Sequence, residues 1–179
     1  PGFHASVDTG RLRAVLHDTA RRLQDNLPYP HPLYAGQMLK PPHAVARLAY
    51  MLSMWINPNN HALDGGRASS AMEKEAVAGI ARLFGYRTHL GHLCASGTIA
   101  NLEALWVSRH AQPGKVLASS QAHYTHGRMC EVLQSPFESV PADAQGRMDM
   151  NALEDILRRE RVSTVVATLG TTEIGRAHV

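Results

Sequence analysis

Only two cysteines, Cys94 and Cys130, occur in the 179 residues, and they do not form a CxxC pair. That excludes a disulfide framework and fits reduced thiols in a cytoplasmic protein. Long apolar runs are missing too. The longest, residues 44–56, is broken by Arg47 and falls short of the about 20 residues a membrane-spanning helix needs. No charge of one sign dominates: Lys and Arg number 18 against 15 Asp and Glu, a formal net charge of +3. The densest basic cluster, Arg158-Arg159-Glu160-Arg161, contains a carboxylate and reads as a solvated helix face, so neither nucleic acid nor membrane is an expected partner. There is no GxGxxG, and Pro113-Gly114-Lys115-Val116 only imitates a P-loop, with Arg109 where its first glycine belongs and Val116 where Ser or Thr is needed. A dinucleotide or mononucleotide cradle is thereby disfavoured.

What remains is a globular composition, 44% hydrophobic and 18% charged. Leu12, Val15, Leu16 and Leu23 recur at near-helical spacing behind Asp8 and Thr9, which predicts an amphipathic first helix. Pro28, Pro30 and Pro32 predict an extended segment that displays Tyr29, His31 and Tyr34. A second helix is expected over residues 43–55, before the turn-rich stretch around Asn57-Pro58 and Asp64-Gly65-Gly66.

From Ser70 onward the pattern sharpens. Ser70-Ala71-Met72-Glu73 has the form of a capping box, and Met72, Ala76, Val77, Ile80, Ala81 and Phe84 make one apolar stripe ended by Gly85. Strands are then expected at residues 88–94, 116–119, 137–140 and 164–169. Helices should alternate with them at 98–110, 123–133 and 150–161, the last capped by Asp149. Such alternation means parallel crossovers and an α/β fold, with a parallel-type sheet flanked by helices. The expected organisation is a helical, proline-rich arm over residues 1–66 and the first part of an α/β domain over 67–172. The last seven residues, Glu173-Ile174-Gly175-Arg176-Ala177-His178-Val179, resemble a translated sequencing-library adapter and are expected to be a non-native tail.

In open α/β sheets ligands bind beyond the carboxyl ends of the strands. Three polar clusters fall there. Ser96-Gly97-Thr98 opens a helix, where free N–H groups, a glycine and two hydroxyls suit a phosphate, and where Ser and Thr equally serve as ordinary caps. Gln121-Ala122-His123-Tyr124-Thr125-His126 follows the second strand, with His123 able to lie over a flat ligand or simply to face solvent. No Asp, Glu or Cys at ligand spacing joins His123 and His126, so no metal site is expected. The third cluster is Gly170-Thr171-Thr172. A single phosphate for a helix N-terminus and a flat ring for a histidine fit pyridoxal 5'-phosphate.

The runs His31-Pro32-Leu33-Tyr34-Ala35-Gly36-Gln37, Ser96-Gly97-Thr98-Ile99-Ala100-Asn101-Leu102, Gln121-Ala122-His123-Tyr124 and Ala167-Thr168-Leu169-Gly170-Thr171-Thr172 resemble the group II pyridoxal-phosphate-dependent amino-acid decarboxylases in order and spacing. The resemblance implies part of a fold-type-I large domain in a cytoplasmic homodimer that releases carbon dioxide from an L-amino acid. It implies that Ser96, Gly97 and Thr98 hold the cofactor phosphate, that His123 stacks on the pyridine ring as a catalytic group, and that Thr172 lies beside the cofactor. Tyr34 and Gln37 would line the substrate entrance. The family's pyridinium-binding Asp and its Schiff-base Lys have no counterpart here: none of Lys40, Lys74 and Lys115 follows a histidine. The chain is therefore expected to be inactive alone. Another fold-type-I lyase, an aminotransferase, or a non-catalytic binding domain are the rival readings.

Overall fold

The computed structural model describes residues 8–34 and 41–171. The chain divides into two compact units, Pro1–Ser69 and Ser70–Val179. In the first, α1 (Thr9–Leu23) begins where the Asp8 carboxylate accepts the Arg11 N–H at 3.0 Å, the N-cap bond that satisfies one of the helix's orphan donors. The prolines after it do not extend the chain. His31 N–H donates to Pro28 O at 2.8 Å and Tyr34 N–H to His31 O at 3.0 Å, so two turns follow one another and bring the Tyr29 and Tyr34 rings edge to face at 5.1 Å. Pro32 sits at the second position of its turn, where a fixed φ favours bending over extension. Helix α2 (Ala44–Ile56) stops at Asn57, in the left-handed region at φ 46°. Neither α1 nor α2 buries a residue.

Helix α3 (Arg67–Leu83) starts a turn earlier than the capping-box spacing predicts, so Ser70 lies inside the helix and the box does not form. It ends before Gly85, whose φ of 77° only glycine adopts freely. The strand expected at residues 88–94 is absent. Leu90 and Leu93 are exposed, so neither face of that segment is covered, and residues 87–95 make no backbone–backbone hydrogen bond among the described residues.

The rest alternates as expected: α4 (Gly97–Ala111), β1 (Lys115–Ser119), α5 (Thr125–Val132), β2 (Phe137–Val140), α6 (Met150–Arg159) and β3 (Val162–Val166). The strands form one parallel sheet in the order β2-β1-β3. Helices cover both faces of β1, and its side chains divide between them. Leu117 packs with Val140, Leu153 and Ile156 on the α6 face, while Val116 packs with Leu105 and Cys130 on the α4–α5 face. Leu117, Val140 and Cys130 are fully buried.

Helix α6 realises its sequence pattern closely. The Asp149 carboxylate accepts from Asn151 N–H at 2.9 Å and Ala152 N–H at 3.1 Å, and Leu153 and Ile156 turn inward from the opposite side to the Arg158–Glu154 pair. β3 begins two residues before the predicted strand and ends at Val166, because a register shift beside Lys115 pairs that residue with Val162 and Val116 with Thr164. Gly114 makes the approach possible: a Cβ there would lie 2.7 Å from Ser163 N and 2.8 Å from Arg161 O.

Candidate functional site

The antiparallel run of α4 against β3 decides where its N-terminus lies. Gln112 Nε2 donates to Val162 O at 3.1 Å, Ser108 and Thr164 share a hydroxyl hydrogen bond, and Leu105 packs near Val166. The helix thus runs from the carboxyl to the amino end of the strand, and the segment from Leu105 back to Gly97 extends about 12 Å further at the standard helical rise. Ser96, Gly97 and Thr98 therefore stand beyond the carboxyl edge of the sheet.

There the Ser96 hydroxyl accepts the Ile99 N–H at 3.3 Å and its carbonyl accepts the Ala100 N–H at 3.0 Å. Ser96 is thus a helix cap. The Gly97 and Thr98 N–H groups and the Thr98 hydroxyl take no protein partner among the described residues. A Cβ at Gly97 would meet nothing within 4 Å, so the turn is open on its outer side. Unpaired N–H groups at the positive end of a helix dipole attract an anion.

His123 follows β1 at the same edge. Its Nδ1 accepts the Thr125 N–H at 3.3 Å and lies 2.5 Å from Thr125 Oγ1. An accepting Nδ1 leaves the ring hydrogen on Nε2 in the neutral form. The same bonds hold His123 outside α5, which is why that helix starts at Thr125 rather than at the predicted residue 123. The exposed imidazole stacks on Tyr124 with ring centroids 4.3 Å apart at 29°, and the Arg128 guanidinium lies 4.4 Å from the Tyr124 centroid. Burial and then the neighbouring His123 push the His126 imidazole below its ordinary range, while burial raises the Cys130 thiol.

On the α6 side of the same edge a cavity of about 760 Å³ is lined by Ser119, Arg147, Asp149, Thr168 and Thr171 among others. Its Arg147 guanidinium is committed to Asp143, with Nε donating to Oδ2 at 2.9 Å. That donor, together with the Arg147 and Gln145 N–H groups, holds the Asp143 carboxyl below its usual range, the Arg147 N–H foremost. Thr168 Oγ1 is buried there without a partner among the described residues. The sequence singles out Asp149 only as a helix cap, and Thr168 and Thr171 only through the Ala167–Thr172 run.

Of the other predicted residues, Tyr34 lies in the first unit, and Gln37 and Thr172 lie outside the described residues. Lys115 is at the opposite, amino end of β1, where Nζ pairs with Glu138 at 2.6 Å and with Glu160. Among the described residues no group of three His, Cys, Asp or Glu could hold a metal ion, and no helix is long and apolar enough to cross a membrane.

No protein-family model matches the chain. An L-tyrosine decarboxylase of Levilactobacillus brevis is 26% identical over an alignment of 243 residues, spanning 98% of this chain and 38% of that protein. A probable L-aspartate decarboxylase of Halobacterium salinarum is 31% identical over 144 residues, spanning 79% of this chain and 40% of that protein. The glutamate decarboxylase domain of a diaminobutyrate-pyruvate transaminase and L-2,4-diaminobutyrate decarboxylase from Vibrio parahaemolyticus shares the fold, with a TM-score of 0.81 at 19% identity over 97% of this chain and 44% of that one. The chain spans about two fifths of the length of the curated relatives it matches. The chain is thus similar in sequence to L-tyrosine and L-aspartate decarboxylases, and its parallel sheet flanked by helices is part of the fold-type-I domain of pyridoxal-phosphate decarboxylases.

Proposed function

We propose that this chain is the phosphate-anchoring and ring-stacking part of a pyridoxal-phosphate-dependent carboxy-lyase, which converts an L-amino acid to an amine and carbon dioxide. The observation that carries the reading is the placement, at one sheet edge, of a helix N-terminus whose first N–H groups have no partner among the described residues and of an exposed imidazole held by Thr125. When bound, pyridoxal phosphate supplies an electron sink for the pair left behind as carbon dioxide departs.

The chain's own residues hold and orient. Gly97 and Thr98 N–H groups and the Thr98 hydroxyl bind the phosphate, with Ser96 fixing the turn that presents them. His123 offers its ring face to the pyridine, and Thr125 keeps that face from rotating. These residues fit the group: unpaired donors suit an oxyanion, and a flat, exposed ring suits an aromatic one. A cofactor role for Thr172 and a substrate role for Tyr34 and Gln37 rest on the resemblance to the decarboxylases alone.

The complete protein is a cytoplasmic homodimer in this reading. The free thiols of Cys94 and Cys130 support the compartment. The homodimer rests on the resemblance to the decarboxylases alone; Leu16, Met51 and Trp55 of α1 and α2 are exposed in this stretch of chain. Titration of the complete protein with pyridoxal phosphate, followed by product analysis across L-amino acids, tests the activity. Amine with carbon dioxide is expected. A keto acid would make the protein an aminotransferase, and no cofactor absorption change would leave a binding domain.

A further inference from the structure

The segment between α3 and α4 lacks the strand its sequence predicts, yet it leads directly into the Ser96-Gly97-Thr98 turn. With no backbone–backbone bond over residues 87–95 among the described residues, side chains must hold it. Two carboxylates do. Glu73, from the middle of α3, accepts the Leu93 N–H through Oε1 at 2.8 Å across twenty residues of chain. Glu103, from α4 itself, lies 2.7 Å from His92 Nε2 and accepts its N–H. A third, weaker link runs from the Cys94 thiol to Ser96 O at 3.4 Å. The bonds thus fall on consecutive residues, His92, Leu93 and Cys94, immediately before the cap.

We infer that Glu73 and the Glu103–His92 pair are positioning residues for the phosphate-binding turn, clamping the entry to α4 so that the Gly97 and Thr98 N–H groups keep a fixed direction. The inference rests on the proposed phosphate role of that turn. Its physical basis is that a loop without a hydrogen-bonded ladder takes its position from whatever contacts it makes, and loss of those contacts adds conformational freedom that an anion must then remove. Both His92 and Glu103 are substantially exposed, at 64% and 41% of their side chains. Exposed pairs contribute modestly, so each alanine variant should weaken phosphate anchoring by only about threefold to fivefold.

The test uses the complete protein with pyridoxal phosphate and pyridoxal as probes, and amide hydrogen exchange over residues 87–100 without either. Glu73→Ala and Glu103→Ala should each raise the dissociation constant for pyridoxal phosphate by that factor, leave pyridoxal binding unchanged, and speed exchange at Leu93 and Ile99. Glu103→Gln, whose amide oxygen can still accept from His92, should restore most of the affinity. Alanine variants with wild-type affinity and exchange would overturn the clamp. Equal losses for both probes would also overturn it, since they would mark general structural damage. A wild-type protein that binds pyridoxal as tightly as pyridoxal phosphate would instead refute the anchoring role underneath.

Discussion

His123 Nδ1 sits 2.5 Å from Thr125 Oγ1 and accepts the Thr125 N–H at 3.3 Å, so one residue, itself almost completely buried, sets both the ring angle and the tautomer of its neighbour. Replacing only the hydroxyl separates those contributions. Thr125→Val keeps the shape and the N–H bond but removes a hydrogen bond of about 1 kcal/mol. In the complete enzyme turnover should fall roughly fivefold, with little change in thermal midpoint. Unchanged steady-state kinetics would show that Thr125 does not orient the ring.

For His123 itself, a stacking role needs a flat ring and no metal. His123→Phe should retain most of the cofactor affinity while altering turnover, and His123→Ala should weaken binding by about 0.5–1.5 kcal/mol. Dialysis against a chelator should leave the wild type active, since stacking uses the ring face and no coordinated metal. One tightly held zinc per subunit, lost along with activity in His126→Ala, would contradict this.

The Ser96 cap can be read through stability and binding separately. Ser96→Ala frees the Ile99 N–H and should cost about 1 kcal/mol of stability. A urea melt measures that cost, and equilibrium dialysis measures the accompanying loss of pyridoxal phosphate. A variant melting like the wild type would mean that water caps α4 equally well.

Lys115 gives a pH signature unrelated to the cofactor. Hydrogen bonds to Glu138 foremost, then Glu160, push its ammonium group above 10.5 in the folded chain. Because the folded value is raised, the stabilisation is complete below about pH 10.5 and fades as pH rises through the higher folded value. The stability gap between wild type and Lys115→Met, followed by urea melts from pH 8 upward, should therefore narrow only at strongly alkaline pH. The same protonated, paired amine should stay unlabelled when the 179-residue chain is treated with equimolar pyridoxal phosphate and borohydride. Specific labelling at Lys115 would overturn both statements.

By itself the sequence determined what depends on near neighbours. The Asp149 cap of α6, the amphipathic α1 behind Asp8, and the stop of α3 before Gly85 with φ 77° are all local, because helix periodicity and capping act over a few residues. The strand–helix alternation made the parallel sheet legible for the same reason, as did the motif runs that carry the family resemblance. Tertiary structure alone decided the rest. Glu73 looked like half of a capping box, yet it serves an amide twenty residues away, and residues 88–94 looked like a strand until neither of their faces found cover. Lys115 could have been any exposed lysine until β2 and the end of α6 brought two carboxylates to it. Contacts between residues far apart in the chain leave no period in the sequence, and they set which edge of the sheet is anion-ready and what holds its entry loop in place.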